Sequence, residues 1–161
     1  MEKGVEYATI SYLINDNLAI VAGKFLSPTG YYFQNLHPSW INKMASSPVG
    51  FGHGGAAPLS DFGVQLRGGK TFANGQHLNY AIYSANGPKL MLEGEDDPDV
   101  DAEGSSDNPD GERVIGGRLG WMPTPKVEFG VSATRGDAAL IDVAASDDEP
   151  SRAYRVDGFD I

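Results

Sequence analysis

The stretch of sequence that decides the fold runs from Ile115 to Thr134 and reads IGGRLGWMPTPKVEFGVSAT. Apolar residues alternate with glycine or polar residues in both halves, and the segment MPTPK at 122–126 separates them. A period of two is typical of a β-strand whose two faces meet different surroundings, and prolines between two such segments favour a turn. The stretch therefore predicts a β-hairpin with strands at about 114–121 and 127–134.

Two similar hairpins are predicted upstream. Asn15-Asp16-Asn17 separates strands at about 5–14 and 18–25, and a turn with Asn74-Gly75 separates strands at about 61–68 and 78–84. Asn-Gly is favoured in tight hairpin turns because both positions need positive φ. A seventh strand begins at about 156–161. We expect one all-β domain over residues 1–161, with about six or seven antiparallel strands.

The connections alternate between short turns and long links, which lie at about 26–60, 85–113 and 135–155. This alternation is typical of outer-membrane barrels, in which short periplasmic turns and long extracellular loops connect successive strands. The pattern favours part of an up-and-down transmembrane β-barrel, with the 26–60 link folding inward to narrow the pore. A soluble β-sandwich or small barrel that binds a ligand or carbohydrate also alternates, and it remains the alternative.

Charged and amide side chains interrupt the predicted strands on the face opposite the apolar residues. A charge in the middle of a strand is costly against lipid but is accommodated in a water-filled lumen. Cations there attract anionic solutes, whereas a carboxylate makes the lumen mixed in charge. The predicted pore-lining residues are Lys24, Gln65, Arg67, Asn79, Arg118 and Glu128.

Composition excludes several other classes. The chain has no cysteine, and no apolar run approaches the roughly 18 residues of a transmembrane helix. The net charge of −10 arises mainly from carboxylates between Glu93 and Glu112, and no basic stripe exists to bind nucleic acid. The first residues lack a secretory signal, so either the protein is cytoplasmic or its ordinary beginning is missing.

The short motifs do not predict an enzyme. Gly50–Gly55 has G-x-G-x-x-G spacing but lies between Pro48 and Pro58, which favours a loop over a dinucleotide site. Asp97, Asp99 and Asp101 start like an EF-hand loop that lacks the required glycine and closing glutamate. Weak binding of divalent cations by the 93–112 run stays open. No catalytic, cofactor-binding or metal-binding residue is predicted, and a β-rich hydrolase is a distant third alternative.

Four segments resemble the phosphate-selective-porin-like family of outer-membrane channels. They are AGKFLSPTG at 22–30, LHPSWINK at 36–43, LNYAIYSANGP at 78–88 and GRLGW at 117–121. The resemblance implies a barrel of roughly sixteen strands, commonly trimeric, that lies in the outer membrane of a Gram-negative bacterium. It also implies passive diffusion of small hydrophilic or anionic solutes and the lipid bilayer as a partner.

The chain is short for such a barrel, so we expect it to be a fragment of one. These segments carry no dense ladder of Arg or Lys. The resemblance therefore predicts a diffusion channel without predicting phosphate selectivity.

Overall fold

The computed structural model describes residues 5, 7–36, 48, 50, 55, 57–93, 99–104, 111, 113–141 and 151–161. Strands dominate this part of the chain. The elements are β1 (Ala8–Asn15), β2 (Leu18–Leu26), α1 (Tyr32–Asn35), β3 (Ser60–Thr71), β4 (His77–Ala85), β5 (Pro88–Glu93), β6 (Asp99–Gly104), β7 (Val114–Thr124), β8 (Val127–Ile141) and β9 (Ser151–Asp160). No helix among the described residues has the length and apolarity needed to cross a bilayer.

Seven strands form one open antiparallel sheet in the order β1-β2-β3-β4-β7-β8-β9. The β5–β6 hairpin joins it through a short parallel pairing between β5 and the end of β8. Within the described residues, β1 and β9 each pair on one side only and do not pair with each other. The all-β, antiparallel prediction is confirmed, and the described sheet is open.

The seven predicted strands all form, but two of the predicted long links contain further strand. β8 continues to Ile141 because residues 135–139 pair with β9 and residues 139–141 pair with β5. The 85–113 link contains β5 and β6. The extension of β8 depends on pairing with other segments, which local periodicity cannot reveal, whereas β5 and β6 pair mainly with each other as a hairpin.

One face of the sheet carries large apolar side chains that are exposed, and we call it the apolar face. Cross-strand partners share a face, so the register assigns each residue to one side. Its large exposed members in the seven strands are Ile10, Tyr12, Phe62, Val64, Leu66, Ile82, Ile115, Leu119, Trp121, Val127, Phe129, Val131 and Phe159. No described element covers them.

The predicted faces of β2 were wrong. Val21 pairs with Gln65, whereas Lys24 pairs with Phe62 on the apolar face. The error arose because β2 is apolar on both sides, so alternation within that strand cannot assign its faces. Lys24 therefore lies on the apolar face, two residues before β2 ends, and not on the polar face with the other predicted pore-lining residues.

The opposite, polar face is partly covered by residues 27–36, which we call the covering segment. Its Gly30 N–H donates to Ser132 Oγ on β8 at 3.2 Å, and Thr29 Oγ1 lies 3.5 Å from Thr134 Oγ1. Residues 27–36 of the 26–60 link thus lie against the polar face, and the narrowing of a pore by this link stays a prediction. The rest of that link lies largely outside the described residues.

The buried apolar residues lie on the covered side of the sheet. One cluster consists of Phe25, Tyr83, Ala85 and Val114, with Tyr154 packed against it, and the rings of Phe25 and Tyr83 meet edge to face at 5.8 Å. A second cluster joins Tyr32 and Phe33 of α1 to Ala57. The first cluster lies at the end of the sheet away from the short turns, and the second packs α1 of the covering segment against residues that precede β3.

The turn between β3 and β4 gives a direct test of the fold. Gly75 has φ of +82°, and its N–H donates to the Phe72 carbonyl at 3.0 Å. An alanine there must adopt the left-handed conformation at a cost of about 1 kcal/mol. We expect Gly75→Ala to lower the free energy of unfolding by about that amount, measured by urea titration. Ala73→Ser in the same turn is the control, and equal stability of both variants would contradict this turn geometry.

Candidate functional site

The polar face carries a charged cluster centred on Arg118 of β7. Its Nη1 lies 2.8 Å from Glu128 Oε1 and donates to Asn79 Oδ1 at 3.1 Å. Its Nε donates to Asp160 Oδ1 at 3.2 Å, and its Nη2 pairs with Asp160 Oδ2. The Arg118 side chain is 7% exposed. One buried cation is thus shared between two carboxylates that approach from β8 and β9.

Two glycines make room for this cluster. Gly120 and Gly130 are cross-strand partners on the polar face. A Cβ on Gly120 would collide with Glu128 Oε1 and Arg118 Nη1, and a Cβ on Gly130 would collide with Asp160 Oδ2 and Arg118 Nη2. The guanidinium can lie flat against the sheet only because both positions lack a side chain.

An aromatic ring of the covering segment lies over the same guanidinium. The Arg118 Cζ is 5.5 Å from the centre of the Tyr31 ring, within the range of a cation–π interaction. Tyr31 immediately precedes α1. The charged cluster on the sheet is therefore in direct contact with the covering segment.

A second polar group lies towards the other end of the covered region. The Tyr83 hydroxyl is 2.8 Å from Thr134 Oγ1, and Thr134 is also the neighbour of Thr29. Asp61 is buried here, and its Oδ1 accepts a hydrogen bond from the Phe62 N–H at 2.8 Å. Hydroxyl groups of β4 and β8 thus attach the beginning of the covering segment to the sheet.

Two cavities lie between the covering segment and the sheet. The smaller, about 190 Å³, is lined by residues of β1, β2 and β3, and the larger, about 530 Å³, extends towards the short turns. Arg67 and Gln34 line both cavities. The larger cavity is also lined by Tyr31, Asn79, Arg118 and Glu128. Arg67 and Gln34 therefore border both spaces between the sheet and the covering segment.

The predicted pore-lining residues separate into three groups. Asn79, Arg118 and Glu128 form the charged cluster, and Arg67 lines both cavities beside it. Gln65 faces the same side but is 1% exposed, and neither of its amide atoms has a hydrogen-bond partner among the described residues. Lys24 lies on the opposite face, as described above.

Sequence reasoning missed Asp160 and Tyr31. Alternation places Asp160 on the same face as Gly158, but only the β8–β9 register, which pairs it with Gly130, brings it to Arg118. Tyr31 lies outside any predicted strand, so periodicity carries no signal for it. Both residues reach the cluster through contacts distant in sequence.

Several sequence hypotheses concern residues outside the described part. The 93–112 run is described only in part, without its side chains, and most of Gly50–Gly55 is not described. Among the described residues, no group of three or more His, Asp or Glu side chains is arranged to hold a metal ion.

Comparison with known proteins found no match among family models, curated proteins or solved structures. Function is therefore inferred from the geometry of the described residues.

The charged cluster predicts that one arginine matters far more for stability than another. Arg118→Met leaves Glu128 and Asp160 partly buried without their cation, and breaking such a pair costs about 3 kcal/mol or more. We expect the free energy of unfolding in urea to fall by about that amount. Arg135→Met, which breaks an exposed pair with Asp157, should change it little. Equal losses would contradict the buried pairing.

Proposed function

We propose that this chain forms part of the wall of an outer-membrane porin, a passive diffusion channel for small hydrophilic solutes. In this proposal the apolar face meets lipid and the polar face lines the lumen. The observation that carries it is the combination of an exposed apolar face with a polar face whose charges are paired and partly covered. The partner is the lipid bilayer of a Gram-negative outer membrane, and diffusion requires no catalytic group.

The exposed apolar face supports a membrane location. Ile10 is 81% exposed and Val131 is 53% exposed, at strands near opposite edges of the sheet. Soluble monomers rarely leave so continuous an apolar surface in contact with water. Lipid would cover it without a second protein layer, whereas a sandwich needs another sheet.

The direction of the apolar band also supports a barrel. Val64 on β3, Arg135 on β8 and Arg155 on β9 lie in one row of cross-strand partners, which is apolar at β3 and charged at β8 and β9. Lys70 on β3 and Phe129 on β8 lie in a second row, which is charged at β3 and apolar at β8. The apolar residues thus shift from the first row to the second between β3 and β8. A band that crosses the rows diagonally fits strands inclined by about 35–45° to the bilayer normal.

Both margins of this band carry residues suited to an interface. Trp121 and Phe129 stack with ring centres 6.1 Å apart near the short turns, where aromatic girdles lie in outer-membrane barrels. On the other side, Asp157 pairs with Arg135 and Arg155, all exposed. Charges there would lie beyond the hydrocarbon region.

The proposal requires further strands. Neighbours in an antiparallel barrel run in opposite directions, and bacterial single-chain barrels have an even number of strands. The outer strands of the described seven, β1 and β9, run in the same direction. An odd number of additional strands must therefore close the barrel, and trimer formation would involve the closed barrel.

The charges that line the two cavities favour small hydrophilic solutes over strongly anionic ones. Arg118 is neutralised by two carboxylates and Lys24 lies on the apolar face. Arg67 is the predicted cation that lines both cavities. The described wall thus contributes one accessible cation from these three residues, which favours a modest anion preference at most.

Adjacent residues of β1 test the lipid-facing assignment. We expect Ile10→Arg to prevent recovery of the full-length gene product from the outer membrane, because an arginine facing the bilayer midplane costs about 2–4 kcal/mol. Ser11→Arg, on the polar face, should leave recovery unchanged. The measurement is heat-modifiable migration of the outer-membrane fraction.

The wild-type protein separates the proposal from a soluble ligand-binding or carbohydrate-binding β-sandwich. In a sandwich a second sheet would cover Ile10, so Ile10→Arg would destabilise a soluble fold as well. A wild-type protein that is folded without detergent, or unchanged recovery of Ile10→Arg from the outer membrane, would contradict the porin proposal.

The cations on opposite faces make a matched pair for ion selectivity. Arg67→Ala should shift the reversal potential in a salt gradient towards cation preference, because Arg67 lines both cavities on the polar face. Lys24→Ala removes the same charge from the apolar face and should leave the potential unchanged. Planar-bilayer recordings provide the measurement, and an equal shift in both variants would contradict the assignment of the two faces.

A further inference from the structure

We infer that Arg118 and Tyr31 form a clamp that holds the covering segment against the wall and so sets the width of the passage. Both are positioning residues and not solute-binding groups. The clamp rests on side-chain geometry alone, and its effect on the passage rests on the proposed function. It assigns to Arg118 a role different from attracting anions.

The guanidinium is held in place by side chains of the sheet, independently of the Tyr31 ring. Glu128, Asn79 and Asp160 accept its hydrogen bonds from three different strands. Gly120 and Gly130 leave the space in which it lies. A cation held in this way loses little further freedom when an aromatic ring packs on it, so the contact is favourable.

The ring belongs to the part of the covering segment that borders the larger cavity. Tyr31, Gln34 and Asn35 all line this cavity opposite residues of β3, β4 and β7. The Asn35 side chain donates to the Tyr31 carbonyl at 3.0 Å, and Gln34 Nε2 donates to the Leu26 carbonyl at 3.1 Å. The Asn35 side chain and backbone N–H both donate to the Tyr31 carbonyl, so the position of Tyr31 influences that of Asn35, whereas Gln34 is also attached to the end of β2.

Hydrogen bonds among the described residues also join the covering segment to β8 and β2. They link Gly30 to Ser132 at 3.2 Å, Thr29 to Thr134 at 3.5 Å and Gln34 to Leu26 at 3.1 Å. The Tyr31 ring joins the segment to β7, so loss of this contact should release the segment from β7. The passage would then widen on the side of the larger cavity.

The charge balance argues against a solute-binding role for Arg118. Its guanidinium is 7% exposed and faces two carboxylates and one aromatic ring. A passing anion would meet the paired carboxylates at the same place. Arg67, which is exposed and lines both cavities, is the residue placed to meet solutes.

The first test is hydrogen exchange, followed by mass spectrometry, of peptides that cover residues 27–36 in the detergent-purified full-length gene product. Tyr31→Leu should raise exchange there about tenfold, whereas Tyr31→Phe keeps the ring and should not. Gly130→Ala displaces the guanidinium and should raise exchange in the same peptides. The double variant should exceed the larger single effect little, because both changes break one contact.

The second test is single-channel conductance, which a merely structural role would not change. Tyr31→Leu should increase conductance and the largest solute admitted, and Lys24→Ala is the control. Unchanged exchange in Tyr31→Leu would overturn the clamp, and raised exchange with unchanged conductance would overturn its role in the passage. If the wild-type protein does not conduct but the variants show the expected changes in hydrogen exchange, the proposed function is contradicted and the clamp is supported.

Discussion

The structure depends on an unbroken parity of strand pairing from β1 to β9. Along each ladder, a residue on one face pairs with a residue on the same face of the next strand, and the irregularities in β1–β2 and β7–β8 lie beside the short turns. A shift of one residue in any pair would exchange the two faces of that strand. The pairing of Val21 with Gln65 and of Leu119 with Val131 therefore fixes which side is polar across the whole sheet.

This parity explains how much of the fold could be predicted from sequence. Strands with one polar and one apolar face, such as β7 and β8, were predicted with the correct faces because alternation is a local property. β2 was not, because Leu18, Ile20 and Val21 make both sides apolar and only the register with β3 decides between them. The extension of β8 and the attachment of β5 to its end depend on pairing between distant residues, which a single sequence does not encode locally.

The candidate site shows the same limit more strongly. Alternation placed Arg118, Glu128 and Asn79 on one face, and the structure joins them by direct contacts. Their combined effect could not be read from that face alone, because Asp160 approaches from the last strand and Tyr31 from a link. A mid-strand arginine that seemed available to anions is already paired twice. The electrostatics of a wall therefore depend on register as much as on composition.

The glycines of β7 and β8 connect this electrostatic arrangement to packing. Gly116 lies beneath the Tyr83 ring and the Thr134 hydroxyl, as Gly120 and Gly130 lie beneath Arg118. Glycine in a strand usually weakens it, but here each one lets a large polar side chain from a neighbour lie along the sheet. The polar layer stays thin, so the covering segment can approach closely enough for Tyr31 to reach Arg118. Side chains at these glycines would raise the layer and separate the segment from the wall, which is why the glycine-rich strands and the cation–π contact depend on each other.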